Sequence, residues 1–373
     1  MQQVEFISKN HNMKELTIVM IMTSDFSYDQ RMQRIVATLS ELATIQVWHR
    51  GKFNAHGNEK NRFVSIDPIF KKGGMFYFGF NIIVLFKLLF AKTDIIYCVD
   101  TDSLLAGGLA ARIRRKILVY DSHEWFTEVP ELKGRNLVKG VWSAIEKLFI
   151  PRADVLITVN DSLAKIFSEK WQKPFYTIRN LPFTKAISPG AGNDKMLLYQ
   201  GAVNEGRGLE CLILAMEYLP DYKCIIVGDG DIKKNLVDIC RTFPWRNRIE
   251  FISKILPDQL DALTVKARYG LNLLDDSSLS YHYSLANKFF DYLQAGIPSI
   301  NMDLPEYRKW VQEDGIGLLL PTLNAKELAE LILKNDKGGI YQKMKDNCLK
   351  NRNKYVWEVE APKLLKLFEG LHK

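Results

Sequence analysis

Continuous apolar runs, rather than strict alternation, mark the strands of this chain. Residues 16–22 (LTIVMIM) form such a run, as expected of a central parallel strand buried on both faces. It empties into the polar loop 23–29, after which Met32, Ile35, Val36 and Leu39 recur at helical spacing within 31–42. A second strand is predicted over 44–48. This strand–helix–strand opening predicts a doubly wound α/β sheet, with sites at the carboxyl ends of its strands. Further strands are predicted over 94–99, 117–120 and 154–159, with a small-residue helix over 104–113; residues 177–182 close the half. A Gly/Pro/Asn cluster at 188–194 then predicts a linker. The alternation restarts with strands at 196–199, 224–227, 249–252, 269–274 and 299–300 and a helix over 209–218. The last segment, 356–371, places Leu364, Leu365, Leu367 and Phe368 at near-helical spacing. The expected organisation is a first domain over 1–187 (1–14 a frayed extension), a linker at 188–195 and a second domain over 196–350. A C-terminal helix within 351–373 is expected to pack back on the first domain.

One stretch fits two descriptions. Residues 75–90 (MFYFGFNIIVLFKLLF) are the most apolar in the chain, interrupted only by Asn81 and Lys87, and short for a membrane span. They read either as a core helix or as a helix lying in a membrane interface, with Lys71, Lys72 and Lys92 near lipid headgroups.

Composition narrows the class. A length of 373 residues at 47% hydrophobic and 25% charged suits two globular domains, and no internal repeat is evident. The five cysteines are scattered without a C-x-x-C pair, which argues for a reducing, cytoplasmic setting and against a disulfide or zinc framework. The N-terminal stretch lacks the apolar run of a signal peptide. Net charge is +8, and all of the excess lies in residues 1–185, with 26 Lys+Arg against 18 Asp+Glu; residues 186–373 hold 25 of each. Without the dense basic clusters of a nucleic-acid groove, this asymmetry points to anionic lipid or a phosphorylated substrate, with no nucleic-acid partner.

The candidate chemistry gathers on 283–298. This is a loop feeding an amphipathic helix that stops at Gly296-x-Pro298. On it Asn287, Lys288 and Asp291 share one face, while Phe289, Phe290 and Leu293 cover the other. Free N–H groups at the helix start, the charge of Lys288 and the acceptor Asp291 suit a phosphate plus a vicinal diol, as in a sugar nucleotide. Gly201, Gly206 and Gly208 flank Arg207 in a loop that lets backbone approach a diphosphate. Gly228-x-Gly230 hints at a dinucleotide fingerprint, but position 233 is Lys where a third glycine belongs, which disfavours a dehydrogenase. His123, between Asp121 and Glu124 at a strand end, is a site candidate. Each of these also fits an ordinary solvated turn or helix edge, and Asp275-Asp276 reads as a polar loop rather than a metal pair.

These motifs together resemble a GT-B-fold glycosyltransferase of glycosyltransferase family 4, the glycosyl transferases group 1. The resemblance rests on Ser284-Leu285-Ala286-Asn287-Lys288-Phe289-Phe290-Asp291-Tyr292 with Gly296 and Pro298, and on Asp29-x-Arg31. It also includes the segment from Tyr120 through Asp121 and His123 to Glu124, and the loop from Gln200 to Glu210. The resemblance implies two Rossmann-like parallel-sheet domains facing a central cleft, and transfer of a sugar from a nucleotide-sugar donor to a glycan or lipid-linked acceptor. It implies retention at the anomeric carbon and a role in polysaccharide or lipopolysaccharide biosynthesis. With protein cations on the phosphates no cofactor and no metal are expected, and the basic first half with the apolar 75–90 stretch suggests an acceptor at the inner face of the cytoplasmic membrane. By position, Asp291 would hold the ribose, and Tyr283 stands where many members carry the first acid of a paired motif. Ala202 stands where many carry a basic residue, so Arg207 and Lys288 would share the phosphate charge. Gly201, Gly206, Gly228, Ser284, Leu285, Ala286 and Asn287 would line the donor. His123 would contact the donor sugar or its phosphate. Asp25, Tyr28, Asp29, Arg31, Asp100 and Glu124 would stand on the acceptor side. A nucleotide-sugar epimerase of the same fold and a non-catalytic sugar-nucleotide or membrane-binding protein are the alternatives.

Overall fold

The computed structural model describes residues 16–51, 53, 60–185 and 195–371. The expected extension at 1–14 and all of the expected linker except Lys195 lie outside these residues. Among the described residues, those within 1–121, 145–156 and 363–371 form one compact unit, and those within 122–144 and 157–362 form the other.

In the first half, strands and helices alternate as β1 (Leu16–Ile21), α1 (Gln30–Leu39), β2 (Ala43–His49), β3 (Arg62–Ser65), α2 (Gly73–Phe90) and β4 (Ile95–Val99). They continue as α3 (Asp100–Arg114), β5 (Ile117–Ser122), α4 (Asn136–Phe149), β6 (Val155–Thr158), α5 (Asp161–Trp171) and β7 (Phe175–Thr177). The sheet order is β3-β2-β1-β4-β5-β6-β7, and β1 pairs in parallel with both β2 and β4. Ile18 to Met22 and all of β4 are buried, which explains their unbroken apolar runs.

The second half runs β8 (Met196–Gln200), α6 (Leu209–Ala215), β9 (Lys223–Val227), α7 (Lys233–Cys240), β10 (Ile249–Ile252), α8 (Pro257–Thr264) and β11 (Tyr269–Asn272). It ends with α9 (Leu279–His282), α10 (Asn287–Gln294), β12 (Ser299–Met302), α11 (Pro305–Asp314), β13 (Gly317–Leu320), α12 (Ala325–Asn335), α13 (Ile340–Asn351) and α14 (Trp357–Glu369). Its six strands are ordered β10-β9-β8-β11-β12-β13, with β8 parallel to β9 and β11. The five cysteines are buried, unbridged thiols.

Two features fix the ends of the central strands in the first unit. Asp121, fully buried at the end of β5, accepts from Arg31 Nη2 at 2.8 Å and Nε at 3.3 Å, and from the Tyr97 hydroxyl at 2.7 Å. Burial alone would lower the Arg31 pKa; Asp121, with Tyr97 and Asp29, outweighs it and the net shift is upward. Phe368 of α14 stacks on the other side of this network, 6.2 Å from Tyr97 between ring centroids. The second feature is the small-residue helix α3. A methyl group on Gly108 would meet the Phe149 ring at 2.3 Å, so only glycine lets α3 lie this close to α4.

An uncompensated guanidinium in a dry core is costly, by about 3–5 kcal/mol when one partner of a buried pair is removed. Asp121→Asn is therefore expected to lower stability by about that amount, read as a fall in the thermal unfolding midpoint. An unchanged midpoint would contradict the assigned role.

Candidate functional site

The donor-loop candidates assemble where β8 and β9 end. Gly201, at φ +132°, follows β8 directly, and its N–H donates to the Val227 carbonyl at 3.0 Å. A methyl group on Gly228 would lie 1.8 Å from the Gly201 carbonyl oxygen, so these two strand ends touch through bare backbone. The loop then runs to Arg207, whose guanidinium lies 5.0 Å over the Tyr281 ring. Its Nε is buried with no hydrogen-bond partner, and Arg207 forms no ion pair among the described residues.

Helix α10 closes the other side. Phe289, Phe290 and Leu293 sink into the core of the second half. The Tyr292 hydroxyl pins the helix to the sheet, donating to Leu198 O at 3.0 Å and accepting from the Gln200 N–H at 3.2 Å. At the helix start, Ala286 is a cap without a side-chain bond. Its own N–H donates to the Tyr307 hydroxyl at 2.8 Å. The N–H groups of Asn287 and Lys288 have no acceptor among the described residues.

Lys288 shares a face with Asn287 and Asp291 in sequence, but it does not lie on a solvated edge. It is 9% exposed, with Nζ 3.8 Å over the Tyr199 ring and 3.4 Å from where a methyl on Gly201 would stand. No carboxylate is within salt-bridge reach among the described residues. Burial, then the charge of Arg207, push its pKa well below 10.5, and Asp291 opposes this only in part. The same desolvation lifts the Tyr199 phenol to about 12. Asp291, one turn along, accepts from Gln200 Nε2 at 3.3 Å and lies 3.9 Å from Lys185 Nζ. Asn287 Oδ1 accepts from Asn180 at 2.7 Å, and Leu285 packs against the core.

The segment after β5 meets α9. Tyr283 lies 6.3 Å from Trp125 and 4.6 Å from His282 between ring centroids, and its carbonyl accepts from Asn160 at 2.6 Å. Ser280 donates to Glu124 at 3.4 Å. The charges of Arg207, Glu131, Asp275 and Glu124 all act on the Tyr281 hydroxyl, after burial as the leading influence. Glu124 therefore stands in the same neighbourhood as Arg207. His123, half-buried, leads into this segment.

The acceptor-side candidates are placed differently. Asp25 caps the short turn Phe26–Tyr28, accepting from the Ser27 N–H, and Asp29 caps α1, accepting from the Met32 N–H. Tyr28 is 70% exposed. Asp100 has φ +56°, a left-handed backbone unusual for a non-glycine residue and a form of strain that clusters at functional sites. Arg31 is the correction in this group. It is a core residue committed to Asp121 rather than a side chain presented at the surface. Ser284 Oγ is buried without a hydrogen-bond partner. Among the described residues no three His, Cys, Asp or Glu side chains come together as a metal site would require.

Sequence reading passed over Tyr199, Tyr281, Tyr292 and Lys185. Three of them sit in apolar surroundings that read simply as core, and only the fold shows their polar or π faces turned to the two cations or the sheet.

Residues 182–352 match the family model for glycosyl transferases group 1. An uncharacterized glycosyltransferase of Methanocaldococcus jannaschii is 28% identical over 195 residues, 46% of this chain and 49% of that protein, so the chain matches about half the length of this curated relative. Sucrose-phosphate synthase of Thermosynechococcus elongatus superposes with a TM-score of 0.79 at 16% identity, covering 96% of this chain and 99% of that one. HepE of Anabaena, in complex with UDP and glucose, superposes at 0.74 and 16% identity, covering 95% and 100%.

The lowered Lys288 pKa carries a sign that can be tested. The unfolded chain binds more protons between the folded value and 10.5, so stability rises with pH across that window and the cost is fully present below it. Lys288→Met should thus stabilise the ligand-free protein by about 1 kcal/mol or more at neutral pH, with the gain shrinking as pH climbs towards 10.5. A lower unfolding midpoint at every pH would contradict the desolvated, unpaired placement. Over residues 182–352 the chain is matched to glycosyl transferases group 1, and its fold is that of the GT-B glycosyltransferases.

Proposed function

We propose that this protein is a glycosyltransferase that moves a sugar from a nucleotide-sugar donor, a UDP-sugar first among them, to a glycan or lipid-linked acceptor. One observation carries the reading. Two cations, Arg207 and Lys288, form no ion pair among the described residues and stand beside two N–H groups at the start of α10 that find no acceptor there. A dianionic diphosphate is the ligand that relieves all four at once. The UDP-bound HepE structure, similar in fold, supports a uridine donor.

The chemical difficulty is expelling a nucleoside diphosphate from the anomeric carbon. As the C–O bond breaks, charge grows on the leaving phosphate oxygens. Groups fixed around those oxygens stabilise the transition state more than the ground state. Arg207 and Lys288 supply full charges in a desolvated place, where each interaction is stronger than in water. With protein cations in this role we infer a metal-independent reaction. Retention at the anomeric carbon is inferred from the family resemblance. Asp291 is assigned to the ribose hydroxyls, exchanging its bonds to Gln200 and Lys185 for them, and His123 to the donor sugar. Tyr283, packed against Trp125, replaces a charged contact to the sugar with an aromatic face. The cytoplasmic side is the proposed location.

A charge-assisted hydrogen bond contributes about 1.5–3 kcal/mol, so Arg207→Ala should cost about one to two powers of ten in kcat with little change in the unfolding midpoint. A turnover assay giving the parent rate would overturn the phosphate assignment. His123→Ala should lose transfer while calorimetry still detects nucleotide binding; loss of both would remove His123 from the proposed role. The donor itself is read from a thermal-shift screen of UDP-, GDP- and ADP-sugars, since a true donor raises the midpoint by mass action. A screen in which no sugar nucleotide shifts the midpoint would contradict the proposal.

A further inference from the structure

Helix α2 has two apolar faces, and the fold covers only one of them. Phe76, Phe80, Val84 and Leu88 are buried. Asn81 ties down the same side, donating to the Asp102 carbonyl at 2.8 Å and accepting from the Ala106 N–H at 2.9 Å. Arg114 donates to the carbonyls of Leu88 and Ala91 and so secures the far end. On the opposite side Met75, Phe78, Ile82, Phe86 and Phe90 recur every three or four residues, which makes them one continuous stripe. Phe78, Phe86 and Phe90 are 58%, 61% and 86% exposed. A helix of a water-soluble protein carries polar residues there.

Charge selects the occupant. Between positions 68 and 93 the chain has Lys71, Lys72, Lys87 and Lys92, all exposed, and no carboxylate; Lys71 also forms a surface ion pair with Asp67 just before this span. A stripe of large apolar side chains rimmed by cations of one sign suits an anionic lipid surface, which takes the rings into its acyl boundary and the ammonium groups among its headgroups. A second copy docked on the same stripe would set lysine against lysine. A transmembrane placement is excluded by the buried face. By length and composition α2 is the one described helix able to cross a membrane. Extracting it would bare Phe76, Phe80, Val84 and Leu88 and break both Asn81 bonds.

We propose that α2 lies flat in the interface of an anionic bilayer and seats this protein on it through the Met75–Phe78–Ile82–Phe86–Phe90 stripe. The docked helix also bears on the acceptor side. Its first turn carries Phe76, 5.0 Å beneath the Arg50 guanidinium, and Tyr77, whose hydroxyl feels the charges of Asp102 and Arg50. Asp102 in turn accepts from Thr23 at the end of β1. The membrane-facing helix thus runs up to the carboxyl ends of β1 and β4, where Asp25 and Asp100 stand, and would present them to an acceptor carried in the same bilayer. This consequence rests on the transferase reading; the docking does not.

The test is co-flotation of the full chain, without donor or acceptor, with vesicles of phosphatidylglycerol and phosphatidylcholine. Binding is expected to the anionic vesicles and to fall at least about tenfold on pure phosphatidylcholine or in high salt. The double substitution Phe78→Ser with Phe86→Ser, at exposed positions, should weaken binding at least about tenfold with an unchanged circular-dichroism melt, and Lys71→Glu with Lys72→Glu should do likewise. Phe86→Trp, which keeps the ring, should bind as the parent does and gain fluorescence quenching by brominated lipid. No binding to anionic vesicles, equal binding to both compositions, parent-like binding by the serine or glutamate variants, or no added quenching in the tryptophan variant would each overturn the proposal. So would light scattering that shows a dimer which the serine variant dissolves. Because no sugar nucleotide is present, a failed transfer assay leaves this result standing, and a failed flotation leaves the transfer chemistry standing.

Discussion

An ammonium group held out of water, with the charge of a second cation acting on it and no ion pair to either among the described residues, is an unstable arrangement by itself. Lys288 is in that position, over the Tyr199 ring and against Gly201. Removing a charge from water costs several kcal/mol even after the surroundings relax. The fold must supply that cost, and the same helix does so on its other face. Phe289, Phe290 and Leu293 are essentially buried, each contributing about 1.5–3 kcal/mol. The Tyr292 hydroxyl adds two bonds to β8. The hydrophobic side of α10 therefore holds its cationic side in place, and on the proposed reading an arriving diphosphate would release stabilisation that the empty protein cannot use.

The first half solves a parallel problem differently. Arg31 is as buried as Lys288, but it is paired with Asp121, which the Tyr97 hydroxyl holds in turn, so it fixes structure and leaves no charge for a ligand. The contrast separates two kinds of buried cation. A paired one rigidifies the strand ends on which Asp25 and Asp100 are carried. An unpaired one marks the site. The exposed face of α2 follows the same logic for apolar surface: the buried stripe belongs to the core, and the uncovered one is left for a partner.

Much of this was legible in the residues alone. Strands buried on both faces announce themselves as apolar runs, and β10 begins and ends where its run does. The 283–298 stretch declared both its loop and its helix. What periodicity could not say was which side of a helix faces protein. For α2 the apolar pattern goes all the way round, so only packing separates the Phe80 face from the Phe86 face. For α10 the pattern put Lys288 with the polar residues, whereas the long side chain folds inward over Tyr199. Arg31 was misplaced for a related reason, since its partner Asp121 lies 90 positions away in the chain. Helices α4, α5, α7, α8 and α11 to α13 went unmarked.

If the unpaired ammonium is the heart of the donor site, then binding a diphosphate must raise its pKa back towards the ordinary value, and protons must be taken up from solution. Calorimetric titration of UDP, in buffers of differing ionisation enthalpy and over a series of pH values below 10.5, measures that uptake directly. The account predicts proton uptake on binding within that range, abolished in Lys288→Met along with most of the affinity. Binding without proton uptake at every pH between the lowered folded value and 10.5, or uptake that persists unchanged in the variant, would contradict it.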